Sequence, residues 1–201
     1  MAIERREMMQ LNIIVAAFLG AVSLTTPAVF ADPGPNTQND ARDLFKVFAT
    51  HPSGLALLDA DDDGDLDCMK AVRTNYDESG PSAEYVWILK GLNGHPMKNI
   101  TVHFEKGDTP DKAVVTVDNA QDQKLEARAI YADFHSCAVL DIPYNSKPRK
   151  KEMCYCLHTW RCLLWVTEEA KDNIPSKCHE EFLKNCNTES IIYDKETCDQ
   201  A

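Results

Sequence analysis

The acidic stretch Asp59 to Asp67 (DADDDGDLD) has the residue types and spacing of a calcium loop. Asp59, Asp61 and Asp63 would fill ligand positions one, three and five, and Gly64 the sixth, where such loops turn sharply. Position twelve requires a bidentate glutamate and holds Lys70, a cation in place of the closing carboxylate. The stretch therefore reads as a solvated acidic turn, with no metal. The six histidines are scattered and form no HExxH pair. Cys154, Cys156 and His158 alternate but lack a fourth ligand, so they do not complete a zinc tetrahedron. A G-x-S-x-G elbow, a Walker loop and a G-x-G-x-x-G run are all absent. No catalytic residue and no cofactor is assigned, and the chain is not read as an enzyme. The basic run Lys147 to Lys151 (KPRKK) reads as an exposed hairpin tip ahead of a heparin or membrane contact.

Cysteine is the strongest compositional signal. The eight cysteines begin at Cys68 and crowd the last third of the chain, at 137, 154, 156, 162, 178, 186 and 198. The N-terminus accounts for this usage. Arg5 and Arg6 precede an apolar run from Leu11 to Leu24, and Val29 and Ala31 place small residues at the −3 and −1 positions of a cleavage site. That order describes a secretory signal peptide over residues 1–31. The apolar core is short for a membrane span, and Pro27, Pro33 and Pro35 prevent its continuation as a helix. The mature chain, read as one domain over 32–201, is expected to be secreted, extracellular and free of the membrane. An even number of cysteines in an oxidising compartment reads as a disulfide framework. Asn99-Ile100-Thr101 is the one glycosylation triplet, and Asn99 is the expected acceptor. With 21 Lys+Arg against 32 Asp+Glu the net charge is −11, which argues against a nucleic-acid partner. At 44% hydrophobic the chain can build a core, which excludes global disorder.

Residues 41, 44, 45 and 48 recur at helical spacing, with Asn39 or Asp40 as cap and Pro52 as stop, which predicts a short amphipathic helix. The period then changes to two. Ile100, Val102 and Phe104 alternate with polar neighbours, as do Ala113, Val115 and Val117. Leu125, Ala127, Ala129 and Tyr131 form a third such set, and Glu84 to Lys90 (EYVWILK) is a further strand. Turn-rich segments separate them. Strands at short spacing without intervening helices indicate antiparallel β structure, a barrel or a sandwich. A late helix begins after Pro175-Ser176, where Cys178, Phe182 and Cys186 are spaced by four.

The C-terminal third carries an ordered series: Cys137-Ala138-Val139-Leu140, Cys162-Leu163-Leu164-Trp165-Val166, Asp172-Asn173-Ile174-Pro175 leading to Cys178, and Glu196-Thr197-Cys198. With the signal peptide and the β pattern, this series resembles the tick salivary lipocalins of the histamine-binding family. The resemblance runs from about Ala41 and is specific from Tyr131 onward. It implies a mainly β fold, an eight-stranded antiparallel barrel around a ligand cavity, with a short N-terminal helix and a C-terminal helix packed outside. It also implies the pairs Cys68–Cys198, Cys137–Cys178 and Cys162–Cys186, leaving Cys154 and Cys156 over.

In that family a biogenic amine such as histamine is held by acids inside the barrel, because a buried ammonium must be paired. By the resemblance those acids fall here on Ala138, on Leu163 and, in the strand Leu125 to Tyr131, on Ala127, all apolar. Asp61 or Asp63 stands near a further family acid. The candidate cavity set is Trp87, Leu125, Ala127, Tyr131, Ala138, Leu163, Trp165, Asp61 and Asp63. Three readings stay open for this expected monomer, all of them serving evasion of host defence: a trap for a host amine, a carrier of an apolar lipid mediator such as a leukotriene or fatty acid, and a module that binds a complement-type host protein.

Overall fold

The computed structural model describes residues 41–60, 63–92, 94–117, 124–144, 160–186 and 189–200. The signal segment, Asp61, the Lys147–Lys151 run, Cys154, Cys156 and His158 lie outside them. Eight strands succeed one another in an antiparallel meander: β1 (Ser53–Asp59), β2 (Lys70–Asp77), β3 (Ser82–Leu89), β4 (Lys98–Lys106), β5 (Lys112–Val117), β6 (Leu125–Ala132), β7 (Cys137–Pro143) and β8 (Trp160–Val166). β8 returns to β1, with Leu55 opposite Val166, and β1 also pairs with β2, with Gly54 opposite Ala71. The sheet is therefore closed on itself, which removes its free edges. A two-residue strand, β9 (Ser190–Ile191), adds to the end of β1.

Alternation decides which side chains enter the barrel. On β3, Ala83, Tyr85, Trp87 and Leu89 are buried and their neighbours half-buried, the pattern of a wall with one face on the core. β7 and β8 differ: apart from Asp141, their described side chains are buried on both faces. Ala138, Leu140 and Ile142 face inward with Leu163 and Trp165, whereas Cys137 and Val139 face outward with Cys162, Leu164 and Val166. The outward set is covered by helix α2 (Ser176–Asn185), whose Cys178 and Phe182 are fully buried against it. Two disulfides fix that helix, Cys137–Cys178 to β7 and Cys162–Cys186 to β8. A third, Cys68–Cys198, joins the turn before β2 to a terminal one-turn helix, α3 (Lys195–Cys198).

The N-terminal helix, α1, spans Leu44–Thr50 and inserts Leu44, Val47 and Phe48 into the interior core. Its cap is Asp43, further along than Asn39 or Asp40, because the Asp43 carboxylate accepts the Lys46 N–H at 3.0 Å. β2 supplies the restraint at the other end, where Arg73 donates to the carbonyls of Phe48 and Ala49. A cation on the last carbonyls of a helix is the favourable polarity.

Two strand irregularities reverse expectations from simple alternation. A bulge in β6 between Ala129 and Tyr131 turns the strand, so Ala127, Ala129 and Ala132 lie inside. Tyr131 is carried outside, packed under α2, and is not a cavity residue. A second bulge, in β1 between Ala56 and Leu58, leaves Leu57 and Leu58 both outward and brings Asp59 inward. Among the described residues no helix is long and apolar enough to cross a membrane.

Candidate functional site

Inside the barrel, at the end where β1 begins, α1 and the strand walls line a half-open cavity of about 60 Å³. That is room for more than one water molecule and well below the ~300–1,000 Å³ of most ligand pockets. Phe48 comes from the helix and His51 from its C-cap; Tyr85, Trp87 and Phe104 come from β3 and β4; Ala138 and Trp165 come from β7 and β8. The rings of Phe48 and Phe104 are 4.6 Å apart and tilted, and Tyr85 stands edge-on to Phe104 at 6.0 Å. Tyr85 also locks the helix in place, since its hydroxyl donates to the His51 carbonyl at 2.7 Å. Burial pushes its phenol well above the ordinary range, so Tyr85 stays a neutral donor. No carboxylate is among the described residues that line this space.

The opposite end of the barrel is charged. Arg161 pairs across the sheet with Ile142, and Asp59 with Leu163, so both side chains point into the interior. The guanidinium donates to Asp59 at 3.0 Å, to Asp63 at 2.7 Å and to Asp65 at 3.2 Å. The side chains of Arg161 and Asp59 are each 2% exposed, and the Tyr144 ring lies 5.9 Å from the guanidinium carbon. Burial alone would raise the Asp63 pKa, but hydrogen bonds with Asp65 and Arg161 outweigh it and hold the carboxyl below its ordinary value. The acidic stretch is thus no solvated turn. Its first aspartate is buried, and three of its carboxylates gather on one cation from β8.

Of the residues chosen from sequence, Trp87, Ala138 and Trp165 line the cavity. Leu163 and Ala127 are buried in the interior wall without reaching it, and Leu125 packs at the rim of the core. Asp63 belongs to the charged end and is committed to Arg161. Asn99 is exposed on β4, as a glycan acceptor must be. Sequence reasoning missed His51, whose position at the end of a helix carries no motif, and Arg161, a single cation in an apolar strand. The one potential metal group among the described residues is Asp133, Cys137 and Cys178, and its two sulfurs are bonded to each other.

Among solved structures, AM182 in a serotonin complex has a TM-score of 0.51 at 18% identity, covering 75% of this chain and 88% of that one. Japanin from Rhipicephalus appendiculatus, bound to cholesterol, scores 0.49 at 14% identity over 72% and 94%. Insecticyanin from the tobacco hornworm Manduca sexta scores 0.48 at 12% identity over 76% and 82%. No curated protein matches. The model of the tick histamine binding protein family matches residues 56–200, from the middle of β1 through the Cys198 bridge that closes the C-terminus. A match of that extent, on a closed barrel carrying an outer helix, places the chain in the tick histamine-binding family of lipocalins.

Proposed function

We propose that this protein is a secreted trap for a small, uncharged, largely apolar host mediator, held in the barrel cavity. The observation that carries the reading is the wall itself. No acid among the described residues reaches the cavity, and three aspartates of the interior's other end are engaged by Arg161. A buried ammonium without a counter-charge costs several kcal/mol, and every ~1.4 kcal/mol is tenfold in affinity. Histamine would therefore lose at least two orders of magnitude here against a carboxylate-lined site. An uncharged ligand gains instead from apolar area removed from water. The resting volume is smaller than an aromatic ligand, so uptake requires wall side chains such as Trp87, Phe104 or Trp165 to turn, and a compact ligand asks less of them than an extended lipid chain. The signal segment and the three disulfides support secretion.

Isothermal titration tests this reading. The secreted chain is expected to take up a compact uncharged aromatic such as 2-naphthol with a Kd in the micromolar range, and histamine at millimolar concentrations or not at all. Changing Ala138→Asp, which places a carboxylate in the cavity, is expected to raise histamine affinity by tenfold or more and to weaken 2-naphthol. Micromolar histamine binding by the unmodified chain would overturn the proposal.

A further inference from the structure

Three apolar side chains stand on the outside of the barrel and belong to neither core. Alternation sends Ala83, Tyr85, Trp87 and Leu89 of β3 inward, so Val86 and Ile88 point outward. Val72 of β2 is the cross-strand partner of Val86 and shares that face. All three are half-buried, and none joins the interior core or the cluster under α2. Side chains opposite each other in an antiparallel pair are close neighbours, so the three form one strip. Polar groups border it. At one end Lys70, opposite Ile88, reaches Glu168 at 3.8 Å, and at the other His103 Nδ1 lies 3.1 Å from Glu84. A contiguous apolar strip with a polar rim is the mark of a surface that takes a covering.

One neighbour of the strip identifies that covering. Asn99 on β4 stands directly opposite Ile88, and Thr101 directly opposite Val86. The acceptor triplet thus lies along the strand with Asn99 and Thr101 on the outer face and Ile100 on the inner one, packed against the core. Asn99 is exposed. A sugar attached there before folding stays outside when the barrel closes. Its point of attachment is one strand spacing, about 5 Å, from Ile88.

We propose that Asn99 carries an N-linked glycan whose first N-acetylglucosamine lies over Ile88, Val86 and Val72, as the outer layer that this part of the wall lacks. In the linkage step Asn99 Nδ2 displaces a polyprenyl diphosphate from C1 of a lipid-linked oligosaccharide. The N–C1 bond forms, the C1–O bond breaks, and the nitrogen loses one proton, with no change of oxidation state. The secretory machinery of the producing cell supplies that donor. A pyranose ring presents C–H groups on its faces and a methyl on its acetamido group, so it takes apolar area out of water while its hydroxyls stay hydrated. The covalent tether keeps the sugar at high local concentration, and weak contacts suffice to seat it. The proposal rests on the secretory reading of residues 1–31 and is independent of the ligand in the cavity.

The full chain, made in a secretory host that leaves high-mannose glycans, is expected to carry one glycan by intact mass, at Asn99. Endoglycosidase H trims it to a single N-acetylglucosamine, and Asn99→Gln removes it altogether. The trimmed chain is expected to melt within about 1 °C of the untrimmed one, and the Asn99→Gln chain about 2–4 °C lower, the scale of one modest contact in a domain of this size. Val86→Thr with Ile88→Thr keeps β-branched residues on the strand and removes most of the apolar strip. In that background Asn99→Gln is expected to cost less than about 1 °C, because the sugar has lost what it covers. The comparison of trimmed and sugar-free parent stands even if the threonine background folds poorly. Secretion without sugar at Asn99, no loss on its removal, or an equal loss in both backgrounds would each overturn the proposal. So would a trimmed chain that melts with Asn99→Gln. A glycosylated dimer in sedimentation that Ile88→Thr dissolves would place a second copy over the strip, and would overturn it too.

Discussion

Replacing Arg161 with methionine is expected to destabilise the fold by about 3–5 kcal/mol, the cost of removing one partner from a buried ion pair. The substitution keeps the aliphatic stem, so the loss comes from the charge. Asp59, 2% exposed at its side chain, would keep a carboxylate in the barrel interior without the guanidinium that holds it. Asp63 and Asp65 are 32% and 13% exposed at their side chains and can turn partly to water, which places most of the cost on Asp59. The double change Arg161→Met with Asp59→Leu is therefore expected to recover most of the loss, since hydrophobic replacement of a whole buried pair is often neutral. Urea denaturation of the two variants and the parent provides the comparison. A single variant within about 1 kcal/mol of the parent would show that the cluster is far more hydrated than its burial implies.

A comparable effect is expected at the chain's end. Cys68–Cys198 joins residues 130 apart in sequence. Removing a bridge over a loop of that length, as Cys68→Ala with Cys198→Ala, is expected to cost about 4–5 kcal/mol in the chain-entropy description. The C-terminal segment also has non-covalent ties. Cys68 N–H donates to the Ile192 carbonyl at 2.7 Å, and Ile192 N–H to the Leu57 carbonyl at 3.0 Å. Denaturation with the other two bridges verified by peptide mapping measures the difference. A loss under about 1 kcal/mol would mean residual structure in the denatured chain already holds the two ends together.

The barrel was legible in the sequence because period-two runs such as Ile100–Val102–Phe104 report a wall with one wet face. Helix α2 was legible for the same kind of reason, through Cys178, Phe182 and Cys186. Alternation is silent about bulges, which is why it groups Tyr131 with Ala127 although the chain between them slips to the other face. It is equally silent about Asp59, whose partner Arg161 lies 102 residues away. A local reading of DADDDGDLD sees only charge next to charge and expects water around it. Of the cavity, the aromatic and apolar members Trp87, Ala138 and Trp165 were accessible from pattern and resemblance. His51 was not, because its place in the cavity wall follows from how the chain leaves α1, a property of packing and not of spacing.

Among the described residues, the barrel wall is two layers thick on one side and one layer thick on the other. β1, β7 and β8 lie between the interior core and the outer cluster under α2, which is bolted at Cys178 and Cys186. β4 and β5 have partly exposed outer faces. Local opening should therefore be uneven around the circumference. Backbone amides of β7 and β8 should exchange with deuterium last, near the rate of global unfolding, and those of β4 and β5 well before them. Uniform exchange around the ring would mean the bolted helix adds no rigidity. With the graded pattern, any widening of the cavity falls on the thin side, while the half of the barrel that holds Trp165 stays in place.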